Sequence, residues 1–148
     1  MIVETAAPRT LAAVRRRIPR TAIGVHWGRA LDQVWDFLGT HPELHEGGHN
    51  FFLYRPLGGS ILDVAFGVEV ARGFQPNGEV EPILTPTGEA ATLVHVGAYA
   101  DLGATHARVI AEIAALGREA AGPFWEIYGD WDENPARLET TVAYLLLS

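Results

Sequence analysis

At 148 residues the chain is long enough for one domain with a proper core, and 48% hydrophobic against 20% charged residues excludes a disordered class. It has no cysteine, which excludes disulfides, thiolate chemistry and Cys-based zinc sites. A formal net charge of −7 argues against direct nucleic-acid binding and weakly favours cationic small molecules.

In chain order, the N-terminal MIVETAAPRT has no basic region followed by an apolar stretch, so no signal peptide is expected. No apolar run approaches the roughly 20 residues that span a bilayer, and a cytoplasmic location is the default expectation. TLAAVRRRI predicts a strand with a basic exposed end. RRRIPR is the one basic cluster, and alternation along a strand splits Arg15 and Arg17 from Arg16. HWGRALDQVWDFLG predicts a helix, with Trp27, Leu31, Val34, Trp35 and Leu38 at helical spacing. Core packing is the plain reading of both tryptophans, and Trp27, near the helix start, has the better chance of reaching a ligand. The following loop, THPELHEGGHN, spaces His41, His45 and His49 four apart. Pro42, Gly47 and Gly48 argue against a helix there, so a solvated loop is expected and no metal site. FFLYRP and ILDVAFGVEV read as two strands joined by LGGS.

The same order then returns. EAATLVHVGAY is a predicted strand, and DLGATHARVIAEIAALG a helix with Leu102, His106, Val109, Ile110, Ile113 and Leu116 on one face. PFWEIYGD and LETTVAYLLL are strands around WDENPAR. Leu38 and Leu116, like Val64 and Val142, lie 78 positions apart, and Tyr54 matches Tyr128 at 74. Such constancy marks a structural repeat. The expected fold is α+β: duplicated β-α-β-β units forming a curved, mostly antiparallel sheet, two helices on one face and a ligand cleft between the repeats. Repeat 1 covers about 10–70, a Gly/Pro-rich linker about 71–88, and repeat 2 about 89–148.

One stretch departs from plain folding logic. In GPFWEIYGD, strand alternation puts Phe124, Glu126 and Tyr128 on one face, a carboxylate between two rings. The offset of 74 places Phe52 at the equivalent position of repeat 1, which makes Glu126 a functional rather than a structural choice. The plain alternative is a strand glutamate paired with an arginine near Arg15–Arg17.

HVGAY (95–99), GPFWEIYGDWD (122–132) and NPARLETT (134–141) together resemble the GyrI-like small-molecule-binding domain, the effector-binding domain of AraC-type and MerR-type multidrug regulators. Ala98 replaces the family's proline, and repeat 1 fits more loosely, through LDQVWDFL and VAFGVEV. The resemblance covers nearly the whole chain. It implies a site for bulky, planar, often cationic aromatic drugs, with Glu126 as the buried glutamate and Tyr128 as its aromatic neighbour. Strand face and repeat position together with that motif lead to the expectation of a cleft lined by Phe52, Tyr54, Tyr128 and Tyr144, with Tyr99 and Trp27 near its mouth. The regulators attach this domain to a helix-turn-helix, and a stand-alone form is expected here, acting in drug sequestration, antibiotic protection or effector sensing.

No P-loop, dinucleotide fingerprint or nucleophile elbow is present, and no cofactor is expected. His106 reads as a satisfied core or cleft-lining histidine, and Tyr144 as core or cleft wall. A binding module is the favoured class. The alternative is a hydrolase opening cyclopropane-bearing genotoxins, with Glu126 as general base and Tyr128 orienting or protonating the leaving group; no second acid/base residue is fixed by spacing. A third class, regulation through a protein partner, leaves little trace in one sequence.

Overall fold

The chain begins with a strand that hydrophobic patterning does not announce. β1 (Ile2–Ala6) is almost wholly exposed, so it has no apolar face to betray it. Backbone pairing with β6 (Gly88–Val96) forms it, Ile2 opposite Thr92 and Ala6 opposite Gly88. The computed structural model describes every residue from Met1 to Ser148, and the chain divides into two units. The first joins Met1–Ala7 to Pro86–Ser148, and the second is Pro8–Thr85.

The second unit runs β2 (Thr10–Pro19), α1 (Ile23–Thr40), β3 (Asn50–Gly58), β4 (Ile61–Val70) and β5 (Glu81–Leu84). Its antiparallel strands lie in the order β3-β4-β2-β5. Pro19 ends β2 because it has no N–H for the ladder. The β3–β4 hairpin turns through Gly58 and Gly59, both at positive φ, with a register shift after Pro56. β5 lies inside the stretch read as a linker. Four residues with proline second give it little strand signal, and its pairing with β2 is what orders it.

The first unit adds α2 (Leu102–Ala115), β7 (Ala120–Tyr128) and β8 (Glu139–Leu146) to β1 and β6, in the antiparallel order β1-β6-β8-β7. Both units are therefore β-α-β-β with one extra edge strand, and the edges are exchanged. β1 precedes the first repeat but borders β6, and β5 precedes the second but borders β2.

Each helix lays an apolar stripe on its own sheet. In α1 the buried residues are Ala30, Leu31, Val34, Phe37 and Leu38, which keep helical spacing. Trp27 and Trp35 correct the sequence reading, being 47% and 39% exposed. Trp35 lies at the edge of the stripe, where its indole N–H reaches Asn50 Oδ1 at 3.1 Å and its ring meets His45 edge-on. In α2 the buried residues are Leu102, Val109 and Ile113, whereas Ile110 and Leu116 turn outward at 52% and 57% exposure. A helix this amphipathic buries a stripe narrower than all its apolar residues, and each full burial contributes about 1.5–3 kcal/mol. α2 stops in a Schellman motif: the Gly117 N–H bonds Ala114 O, the Arg118 N–H bonds Ile113 O, and Gly117 takes φ +68°.

Register also corrects the repeat alignment. Phe52 faces Phe66 and Tyr54 faces Val64, while Phe124 faces Tyr144 and Glu126 faces Val142. With Phe66 matched to Tyr144 and Val64 to Val142, Glu126 is equivalent to Tyr54, at an offset of 72 (126 − 54), and Phe52 is equivalent to Phe124. Loop-length differences hid the two-residue slip, because alternation looks the same after a shift of two. No helix is long and apolar enough to cross a membrane.

Candidate functional site

β7 places the carboxylate through a bulge. Its pairing with β8 breaks between Ala120 and Phe124, where Gly122 adopts φ +119° and Pro123 supplies no N–H. Beyond the break the alternation is regular, and Phe124, Glu126 and Tyr128 share a face opposite Tyr144, Val142 and Thr140. Trp125 points to the other face and is buried there. α2 covers the same face as Glu126, because His95, in register with Thr140, shares a 2.7 Å hydrogen bond with Thr105 of α2.

Glu126 is 6% exposed and held at both oxygens. The Tyr128 hydroxyl donates to Oε1 at 2.7 Å, and His106 Nε2–H donates to Oε2 at 2.7 Å. His106 Nδ1 lies 2.7 Å from the Tyr144 hydroxyl, which donates to it in the neutral imidazole. Four side chains thus form one chain of short hydrogen bonds, Tyr144–His106–Glu126–Tyr128. The hydrogen bonds that hold Glu126 come from a tyrosine and a histidine, where the plain alternative had named an arginine near Arg15–Arg17. Arg15 pairs with Asp63 and Arg16 with Glu79 instead.

Rings enclose the network. Phe124 stacks on Tyr144 with centroids 4.9 Å apart and planes at 11°, and both meet the His106 ring edge-on. Tyr99, 40% exposed in the turn before α2, meets Tyr128 edge-on at 5.5 Å. Such pairs contribute about 0.5–1.5 kcal/mol each beyond burial, which fixes the rings around the network. Thr140, fully buried in the same row as Tyr128, has no hydrogen-bond partner for Oγ1.

Of the sequence-predicted site residues, Glu126, Tyr128, Tyr144 and Tyr99 come together in the first unit. Phe52 and Tyr54 are buried on β3 of the second unit, Phe52 edge-on to Phe66, and Trp27 is half-exposed on α1. Two members were missed by sequence reasoning. Phe124 was legible as the ring two residues before Glu126 on the same strand face. His106 was legible as the polar residue inside the buried stripe Leu102–Val109–Ile113, but its partner was not, because no spacing rule links a helix position to a strand position 20 residues later. Among the loop histidines, His45 Nε2 is 2.8 Å from Gly48 O and His41 stacks on Phe37.

The GyrI-like small molecule binding domain family matches residues 1–144. Among solved structures, the EcmrR C-terminal domain superposes with a TM-score of 0.80 at 17% identity, over 99% of this chain and 96% of that one. SAV2435 bound to tetraphenylphosphonium gives 0.74 at 14% identity, over 99% and 93%. A hydrolase from Listeria innocua gives 0.67 at 11% identity, over 99% and 91%. At these identities the likeness is one of fold. No curated protein matches the chain in sequence.

Proposed function

This chain belongs to the GyrI-like small-molecule-binding domain family, and on that premise we propose that it binds a bulky aromatic cation against Glu126. One observation carries the reading: a carboxylate only 6% exposed, hydrogen-bonded at one oxygen to Tyr128 and at the other to His106, beside the rings of Phe124, Tyr128 and Tyr144. Burying an ion costs several kcal/mol, and the hydrogen bonds from Tyr128 and His106 offset part of that cost. The second unit places Tyr54 at the equivalent position, so the sheet does not require an acid there. An organic cation gains the Coulomb attraction and about 0.5–2 kcal/mol from ring faces. Stacking needs few directional bonds, so selectivity is broad. Tetraphenylphosphonium, the ligand of SAV2435, is of this chemical class. Phe52, Tyr54 and Trp27 lie in the other unit, and the proposal does not depend on them.

The test is calorimetric titration of a cationic rhodamine and a neutral ligand of the same shape into wild type and Glu126→Gln. The variant keeps the shape and removes the charge. Rhodamine affinity falls by about 1.5–3 kcal/mol, the range for a hydrogen bond to a charged group, and the neutral ligand hardly moves. Equal losses for both ligands overturn the reading.

A hydrolytic reading has one specific support, the bond between Glu126 and His106, which supplies the second acid/base group that spacing alone did not. Glu126 takes a proton from water as the water oxygen bonds to a strained ring carbon. The ring C–C bond breaks, and the carbon that keeps its electrons regains a proton from Tyr128 or through His106. Incubation with a cyclopropane-bearing electrophile then yields a product heavier by one water, absent in Glu126→Gln.

A further inference from the structure

The face of the second unit turned away from α1 carries a cavity of about 200 Å³, lined by Arg15, Leu53, Arg55, Asp63, Ala65 and Ile83. Register explains the grouping. Arg55 of β3 and Arg17 of β2 both lie directly opposite Asp63 of β4, and in the next row Leu53 and Arg15 flank Ala65. The opposite face is the helix side, since Trp35 of α1 bonds Asn50, which alternates with Leu53 and Arg55.

Asp63 is 7% exposed and gripped by the Arg15 fork through Nε and Nη2. That hydrogen bond, more than any other influence, holds the Arg15 guanidinium above its ordinary value. Arg15 also leans on Glu81 at 3.7 Å. Asp63 is therefore committed, whereas Arg55, exposed on the same wall, has neither an ion pair nor a hydrogen bond. Arg15 is thus shared between two carboxylates, Asp63 and Glu81, and Arg55 is a cation of the cavity wall without an acidic partner, on a protein whose net charge is −7. Its remaining walls are apolar: Leu53, Ala65 and Ile83.

We propose that this cavity is a second ligand site, taking a small amphipathic anion such as an aryl carboxylate. The carboxylate lies on the Arg55 guanidinium, whose planar fork matches it, and the ring covers Leu53, Ala65 and Ile83. A volume of about 200 Å³ is below the ~300–1,000 Å³ of pockets for drug-sized ligands, which limits the occupant to one ring. The site differs from the Glu126 network in unit, sheet face and ligand sign, so neither proposal needs the other.

Benzoate, with benzamide as its neutral counterpart, titrated into amide-resolved NMR samples tests this. Benzoate should shift the amides of residues 53–55 and 63–65 saturably, and benzamide should not. Arg55→Gln should weaken benzoate by about tenfold or more, the weight of one charge-assisted hydrogen bond, while Glu126→Gln leaves it unchanged. Non-saturable shifts, equal binding of benzamide, an unaffected Arg55→Gln variant, or benzoate shifts confined to β7 and α2 would each overturn the site.

Discussion

His106→Ala removes the centre of the buried hydrogen-bond chain. Its side chain is 17% exposed, so solvent screens the loss little. Glu126 Oε2 loses a donor at 2.7 Å and the Tyr144 hydroxyl loses its partner at 2.7 Å. A hydrogen bond to a charged group contributes about 1.5–3 kcal/mol and a neutral one about 1 kcal/mol. The ring also leaves its edge contacts with Phe124 and Tyr144, although water entering the gap restores part of the bonding. The expected destabilisation is about 3 kcal/mol, a fall in Tm of about 6–12 °C for a chain of this length. Urea and thermal unfolding of wild type, His106→Ala, Tyr144→Phe and the double variant measure it. Because the two residues share one bond, the double variant should cost less than the two single losses together by about 1 kcal/mol. Strict additivity, or a loss below about 1 kcal/mol for His106→Ala, refutes the connected network.

Gly67→Ala should cost about 1–3 kcal/mol in urea unfolding, because an added Cβ at the centre of β4 meets Ala12 O and Ala13 Cβ at 2.9 Å, and strand backbone cannot step aside; a neutral effect would show that β2 yields there. Arg16 bonds both oxygens of Glu79, and this hydrogen bond is the largest cause holding that carboxyl below the ordinary glutamate value. The pair's contribution is therefore present above the unfolded glutamate pKa of about 4.3 and is lost as pH falls through the folded value. NMR titration of the Glu79 carboxyl should move upward in Arg16→Ala, and an unchanged midpoint would deny the pairing.

Much of this molecule is written in local periods. Alternation announced β2, β3, β4, β6, β7 and β8, and the spacing of Leu31, Val34 and Leu38 announced α1, because side chains of period 2 or 3.6 must share a face whatever they pack against. The face shared by Phe124, Glu126 and Tyr128 follows from the same rule. Tertiary structure alone decided the rest. β1 and β5 exist only because β6 and β2 offer them backbone partners, a cause that short and exposed or proline-bearing segments cannot carry. Alternation could not tell a strand from itself shifted by two, so only the register with β4 and β8 showed that Tyr54, not Phe52, stands where Glu126 does. Periodicity put His106 on the buried face of α2 and Glu126 on one face of β7. That they meet at 2.7 Å depends on where α2 lies across the sheet, and packing rather than spacing sets that distance.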